Sequence, residues 1–233
     1  MPVLKALIHY APVSIELALW SFVPMILVGI RLGVQAAVHH NGWLDHLARF
    51  FSIVGWSFPS YVFGLLMIMI FYAGLGWLPP ERLSEWARRV VLSPGFRQYT
   101  RMNTVDALLN MRLDILIDAV RHLILPVLTL SYVSWALILR VMRSSMLESL
   151  REDYVTTARS KGLREKVVID RHVRPNALIP IVTIGGLVLV GWMGGVVATE
   201  TVFNIRGMGW FFANAALQLD IISVLGVTLF NAM

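Results

Sequence analysis

Five apolar runs, separated by stretches that carry nearly all of the charge, set the pattern of this chain. The first runs from Ala11 to Ile30 with Glu16 as its only charge, and the second, Phe50 to Leu78, carries none and is interrupted by Pro59. The third, Leu123 to Leu139, is short and contains Pro126. The fourth, Ala177 to Ala198, is uncharged and rich in glycine, and the fifth begins near Ile221 and stops at Met233. A spanning helix takes about 20 apolar residues, so the first, second and fourth suffice outright, and the third does with tilt or with its flanks. The fifth has 13 residues and reads as truncated. Hydrocarbon satisfies no backbone N–H or C=O, so each run is expected to be helical. Barrel strands would alternate polar and apolar residues, which these runs do not. The expected fold is all-α: a polytopic membrane protein with five transmembrane helices, the last cut short, in a single transmembrane domain over 1–233.

Composition sharpens this picture. Hydrophobic residues make up 57% of the 233 and charged ones 15%, too few charges to cover a water-facing surface. Most soluble enzymes are thereby excluded. The net charge of +6 comes from basic residues placed between apolar runs, which points to membrane topology and away from nucleic acid. With no cysteine there is no disulfide, thiolate metal site or cysteine nucleophile.

Loops on one side, Arg31–Arg49 and Arg140–Asn176, hold 11 Lys and Arg, against 9 on the other. The bias grows once the 44-residue segment 79–122 is set aside, because long loops translocate largely regardless of charge. Segment 140–176 is therefore expected in the cytoplasm, with 79–122 a long outer loop and Met1 outside. A chain that starts outside without a signal peptide is expected to follow an earlier span, so an N-terminal helix is expected to be missing.

The most informative stretch is 140–176, RVMRSSMLESLREDYVTTARSKGLREKVVIDRHVRPN. Leu147, Leu150, Tyr154 and Ala158 are spaced for one helical face. Asp153 is placed to cap a helix start, and Gly162 to end it in the left-handed conformation. Glu165–Arg174 is expected as a second short helix, with Pro175 marking the return to the membrane. A helix of about two turns is not stable alone in water, so its apolar face must rest on lipid or dock on a cytoplasmic partner.

Ala158, Gly162 and Pro175 resemble the cytoplasmic loop motif of ABC-importer permeases, with the family's spacing of thirteen between Gly162 and Pro175. Thr156-Thr157-Ala158 stands where the motif has Glu-Ala-Ala, and His172-Val173-Arg174-Pro175 where it has Ile-x-Leu-Pro. The wording DYVTTARSKGL and RHVRPNALIP resembles the dipeptide, oligopeptide and nickel branch. So do WSFPSYVFGLLMIMIFYAGLGWLPP, HLILPVLTLSYVSWALILRVMRSSMLESL and ATETVFNIRGMGWFFANAALQLD, in the same order along the chain, although Arg206 replaces the branch's usual Pro. The resemblance implies a six-helix permease fold, matched here from the second helix to the start of the sixth. It implies a second permease, two cytoplasmic ATPases and an external solute-binding protein as partners. The ATPase-coupling interface would comprise Asp153, Tyr154, Thr157, Ala158, Lys161, Gly162 and Pro175. ATP and magnesium would sit on the ATPases, since no G-x-x-x-x-G-K-[ST] occurs here and the chain is expected to hold no cofactor, no metal and no catalytic site.

Other polar residues have plainer readings. Glu16 lies near the outer end of the first run and is expected to snorkel to the interface. Glu200 and Asp220 flank an outer segment and are candidate contacts for the binding protein or for a cationic substrate terminus. His39, His40, Asp45 and His46 could suggest a metal, but no H-E-x-x-H occurs, and His40 and His46, six apart, fall on different helix faces. A secondary transporter or channel, or an inactive truncated permease, remains the alternative; the first two would have no reason to keep the Ala158–Gly162–Pro175 loop.

Overall fold

The computed structural model describes residues 3–232, which form helices and connecting turns with no strand among them. The expected outer position of Met1 lies outside the described residues. The first apolar run becomes α1, Val3–Val38, and the third becomes α6, Leu113–Ser149. At about 1.5 Å per residue each is about 54 Å long, well beyond a hydrocarbon core of about 30 Å. The polar ends of both helices lie beyond the apolar runs that hydropathy marks. Pro24 and Pro126 lie inside these helices, which intramembrane packing tolerates.

The second run is broken near Pro59 into α2, Trp43–Ser57, and α3, Ser60–Met67, which continues as a π-helix over Ile68–Gly74. The fourth is α10, Ile179–Met193, entered through a 45° bend from the segment Glu165–Ala177. The fifth is α13, Ile221–Ala232. Two continuous helices and two broken pairs are thus long and apolar enough to cross a membrane, with α13 a shorter apolar helix. Val182, Leu187 and Val190 of the charge-free α10 are exposed, an exterior suited to lipid or to a partner helix rather than to water.

The chain packs as two compact units, one of Met1–Ser21, Pro59–Leu130 and Leu189–Met233, the other of Phe22–Phe58 and Ser131–Val188. In the first, the expected long loop 79–122 is instead folded. Its helices α4, Glu85–Val91, and α5, Asn103–Leu109, close with the start of α6 over Leu83, Ala87, Phe96, Ala107 and Ile115. Also in this unit, α11, Val197–Val202, packs on α3 and on α12, Met208–Leu217, which in turn packs on α13.

In the second unit α1 and α6 approach closely through Gly29 and Gly33, a small-xxx-small pair of the kind that lets membrane helices meet. A Cβ on Gly33 would stand 2.6 Å from Met142 Cβ and 3.0 Å from the Leu139 carbonyl oxygen, and one on Gly29 would stand 2.7 Å from Ile138 Cβ. Below this crossing Ala36, Ala48 and Leu139 form a core with Leu32 and Trp135. Gly33→Leu is expected to cost about 1–3 kcal/mol by overpacking, read as a lower Tm of the detergent-solubilised protein. An unchanged Tm would contradict the close crossing.

Candidate functional site

The stretch expected to couple to a partner folds as a chain of short helices in the second unit. Helix α7 is Asp153–Ser160, followed by α8, Glu165–Val168, a π-helical turn over Ile169–Val173, and α9, Arg174–Ala177. Glu152 is the N-cap in extended conformation and makes no side-chain cap, so Asp153 is the first helical residue and not the cap. There its carboxylate still suits the positive end of the helix dipole. The expected apolar stripe is also different. Leu147 belongs to α6 and the chain turns at Leu150, so the stripe is broken before α7 begins.

Val155 and Ala158, three apart, are the buried pair of α7, which rests on α8 and the π-helical turn of its own chain. Tyr154 is 38% exposed and Thr157 is exposed, with its hydroxyl donating back to the Asp153 carbonyl at 2.9 Å. The free face of α7 is therefore polar: Asp153, Tyr154, Thr157 and, beyond the helix end, Lys161 and Gly162. Ala158 points inward, and its small size lets α7 settle on the segment beneath.

The end of α7 is closed locally. Gly162 has φ +73°, its N–H donates to the Arg159 carbonyl at 2.9 Å, and the Leu163 N–H donates to the Ala158 carbonyl at 3.4 Å. These are the two bonds of a Schellman ending, as expected from the position of the glycine. Arg159 then donates through Nε and Nη2 to Glu165 at 3.1 and 2.6 Å, bridging the turn. Pro175 stands in the first turn of α9, where its missing N–H costs least, and α10 follows after Leu178.

One buried carboxylate, in the same unit, ties α2 to α6. Asp45, fully buried, accepts two bonds from Arg143 of α6 at 2.6 and 2.9 Å. It accepts two more from Arg49 at 3.2 and 2.6 Å and one from the Asn41 N–H at 3.1 Å. Its oxygens are fully used, so it is an ion-pair hub and not a metal ligand beside His39, His40 and His46. Among the described residues no three His, Cys, Asp or Glu side chains are grouped to hold a metal. The i,i+4 pair Asp45–Arg49 is readable in sequence, whereas Arg143 is 98 residues away.

In the first unit two further carboxylates are structural. Glu16 does not snorkel: it is 2% exposed, accepts from Arg82 Nη2 at 2.5 Å, and accepts from the Thr104 N–H and hydroxyl at 2.7 and 2.8 Å. A carboxylate from α1 thus caps the start of α5. Glu200, expected as an outer contact, is fully buried. Its oxygens accept from the Ser14 hydroxyl at 2.6 Å, from the Val196 N–H at 3.1 Å and from the Trp210 N–H at 2.8 Å. It satisfies the starts of α11 and α12 and, being fully buried, presents no surface to a partner. Asp220 is exposed and caps α13, accepting from the Ser223 N–H at 3.2 Å and its hydroxyl at 2.6 Å. The hydroxyl bond, foremost, holds the Asp220 carboxyl below the usual range.

The pattern of the family described as "Binding-protein-dependent transport system inner membrane component" matches residues 10–233. The chain belongs to that family. This meets the expectation drawn from the Ala158–Gly162–Pro175 motif, and the helical, apolar fold is that of a polytopic membrane permease. Among curated relatives of this inner membrane component, the chain is 41% identical over 226 residues to the probable D,D-dipeptide transport system permease protein DdpB of Escherichia coli (strain K12). It is 38% identical over 209 residues to the di/tripeptide transport system permease protein DppB of Pseudomonas aeruginosa (strain UCBPP-PA14), and 31% identical over 232 to the oligopeptide transport system permease protein AppB of Bacillus subtilis (strain 168). These matches cover 97%, 90% and 100% of the chain, but the chain spans only 65%, 60% and 66% of those relatives.

Proposed function

We propose that the chain is a permease subunit of an ATP-driven ABC importer for di- or oligopeptides. With a second permease it forms the membrane path, an external solute-binding protein delivers the substrate, and two cytoplasmic ATPases supply the energy. The family match and the relatives named for peptide transport support this reading. So does the absence from the chain of a phosphate-binding loop of the G-x-x-x-x-G-K-[ST] kind, which leaves ATP and magnesium to the ATPases.

The observation that carries the coupling role is the polar face of α7, held at a fixed angle by the Gly162 turn and the Arg159–Glu165 pair. Asp153, Tyr154, Thr157, Lys161 and Gly162 would meet the ATPase. Ala158 and Pro175 would act from beneath by setting the seat and exit of the helix. On this reading 140–176 is cytoplasmic and 79–122 lies outside, within one permease domain of the cytoplasmic membrane. Of the two outer candidates, the exposed Asp220 keeps its availability to the binding protein.

Co-purification in mild detergent with the ATPase encoded beside it tests the reading. The full chain is expected to retain the ATPase, and a chain lacking 153–175 to lose it while still inserting in the membrane. Equal retention by both chains would sink the coupling role.

A further inference from the structure

A cavity of about 290 Å³ in the first unit has an unbalanced lining. Four arginines line it, Arg82, Arg88, Arg101 and Arg206, against a single acidic residue, Glu81. Of the four, only Arg82 has a carboxylate partner among the described residues, the buried Glu16. Arg101 meets the His9 imidazole, and Arg206 lies 5.5 Å from the centroid of the Trp210 ring. Arg88 and Arg206 are exposed and contribute no ion pair to the fold among the described residues. Concave walls of one sign concentrate potential and draw in a counter-ion. Guanidinium groups favour carboxylates because their N–H donors match two oxygens at once.

The remaining features narrow the ligand. A volume of about 300 Å³ is at the small end for ligand pockets and fits a few residues of peptide. Glu81 also stands at φ +83°, outside the usual range for a residue with a Cβ, with its N–H donating to the Phe203 carbonyl at 3.1 Å. Uncommon backbone of this kind is held in place by its surroundings and gathers at ligand sites. It places the one acidic residue of the lining among a basic majority, a charge pattern complementary to a zwitterion.

We propose that this cavity binds a short peptide through its terminal carboxylate, taken by Arg88, Arg101 and Arg206, with Glu81 receiving the ammonium end. The choice of peptide rests on the proposed importer function; the anion site rests on the cavity alone. Arg82 is a positioning residue, since its guanidinium is committed to Glu16.

Calorimetric titration of the detergent-solubilised full chain with Ala-Ala, its C-terminal amide and acetate tests the proposal. The amide is expected to bind about tenfold or more weakly than the acid, through loss of the charge-assisted pair. Arg88→Gln and Arg206→Gln are each expected to weaken Ala-Ala about fivefold, and Glu81→Gln to weaken Ala-Ala but not acetate. Equal binding of acid and amide, variants that bind like the wild type, or no binding at all would overturn the proposal. Acetate binding with no gain for Ala-Ala would also overturn it, leaving an anion site without a peptide. So would an external binding protein that needs Arg88 and Arg206 when Ala-Ala does not bind. ATPase retention by the same preparations separates the two readings: retention without peptide binding removes the cavity proposal alone.

Discussion

Asp45→Ala is expected to cost about 3–5 kcal/mol of stability, the range for breaking a buried ion pair by removing one partner. The wild-type carboxylate serves both guanidiniums and the Asn41 N–H. Its loss leaves Arg143, only 19% exposed, without a counter-charge, whereas Arg49 at 43% exposed can turn to solvent. Most of the penalty should therefore come from Arg143. Thermal unfolding in detergent would show a large fall in Tm for Asp45→Ala. A double variant, Asp45→Leu with Arg143→Leu, should recover much of it, because it removes the orphaned charge along with its partner. A single variant that melts like the wild type, or a double variant as unstable as the single, would contradict the hub.

The second large effect falls on function. Gly162→Pro is expected to lower ATPase retention by tenfold or more while leaving membrane insertion intact. The turn requires φ +73°, and proline is fixed near −65°. Proline also removes the N–H that now reaches the Arg159 carbonyl. The turn is exposed, so the damage lies in the direction in which α7 leaves its seat and not in a core. Gly162→Ala separates the two causes: its Cβ would meet no atom within 4 Å, and it would cost only the left-handed strain of about 1–2 kcal/mol. Normal retention and uptake by the proline variant would end the case for this turn as a coupling element.

What the sequence disclosed was what depends on neighbours along the chain. The five apolar runs and the glycine that ends α7 are local patterns, and each is present in the structure. Helix ends were missed because α1 and α6 continue into polar residues that a hydropathy pattern does not count. The role of Glu16 was missed because its partners Arg82 and Thr104 are 66 and 88 residues away. Glu200 was read as available because a carboxylate in a loop is normally solvated. Its main donor, the Ser14 hydroxyl, is 186 residues distant and leaves no local signature. Segment 79–122 looks like a loop in sequence because its helices are short and its core of alanines and a few larger residues is too sparse to register as a run.

The Glu16 contact bears on how such proteins can exchange parts. Segment 79–122 has its own core, so it is a natural piece to graft from one member of the family to another. Yet both donors to Glu16, Arg82 and Thr104, travel with the graft, while the acceptor stays behind in α1. A transplanted segment without an arginine and a helix start at those places would leave the host with a buried, unanswered carboxylate. A chimera of this region succeeds or fails on whether three residues move as one set.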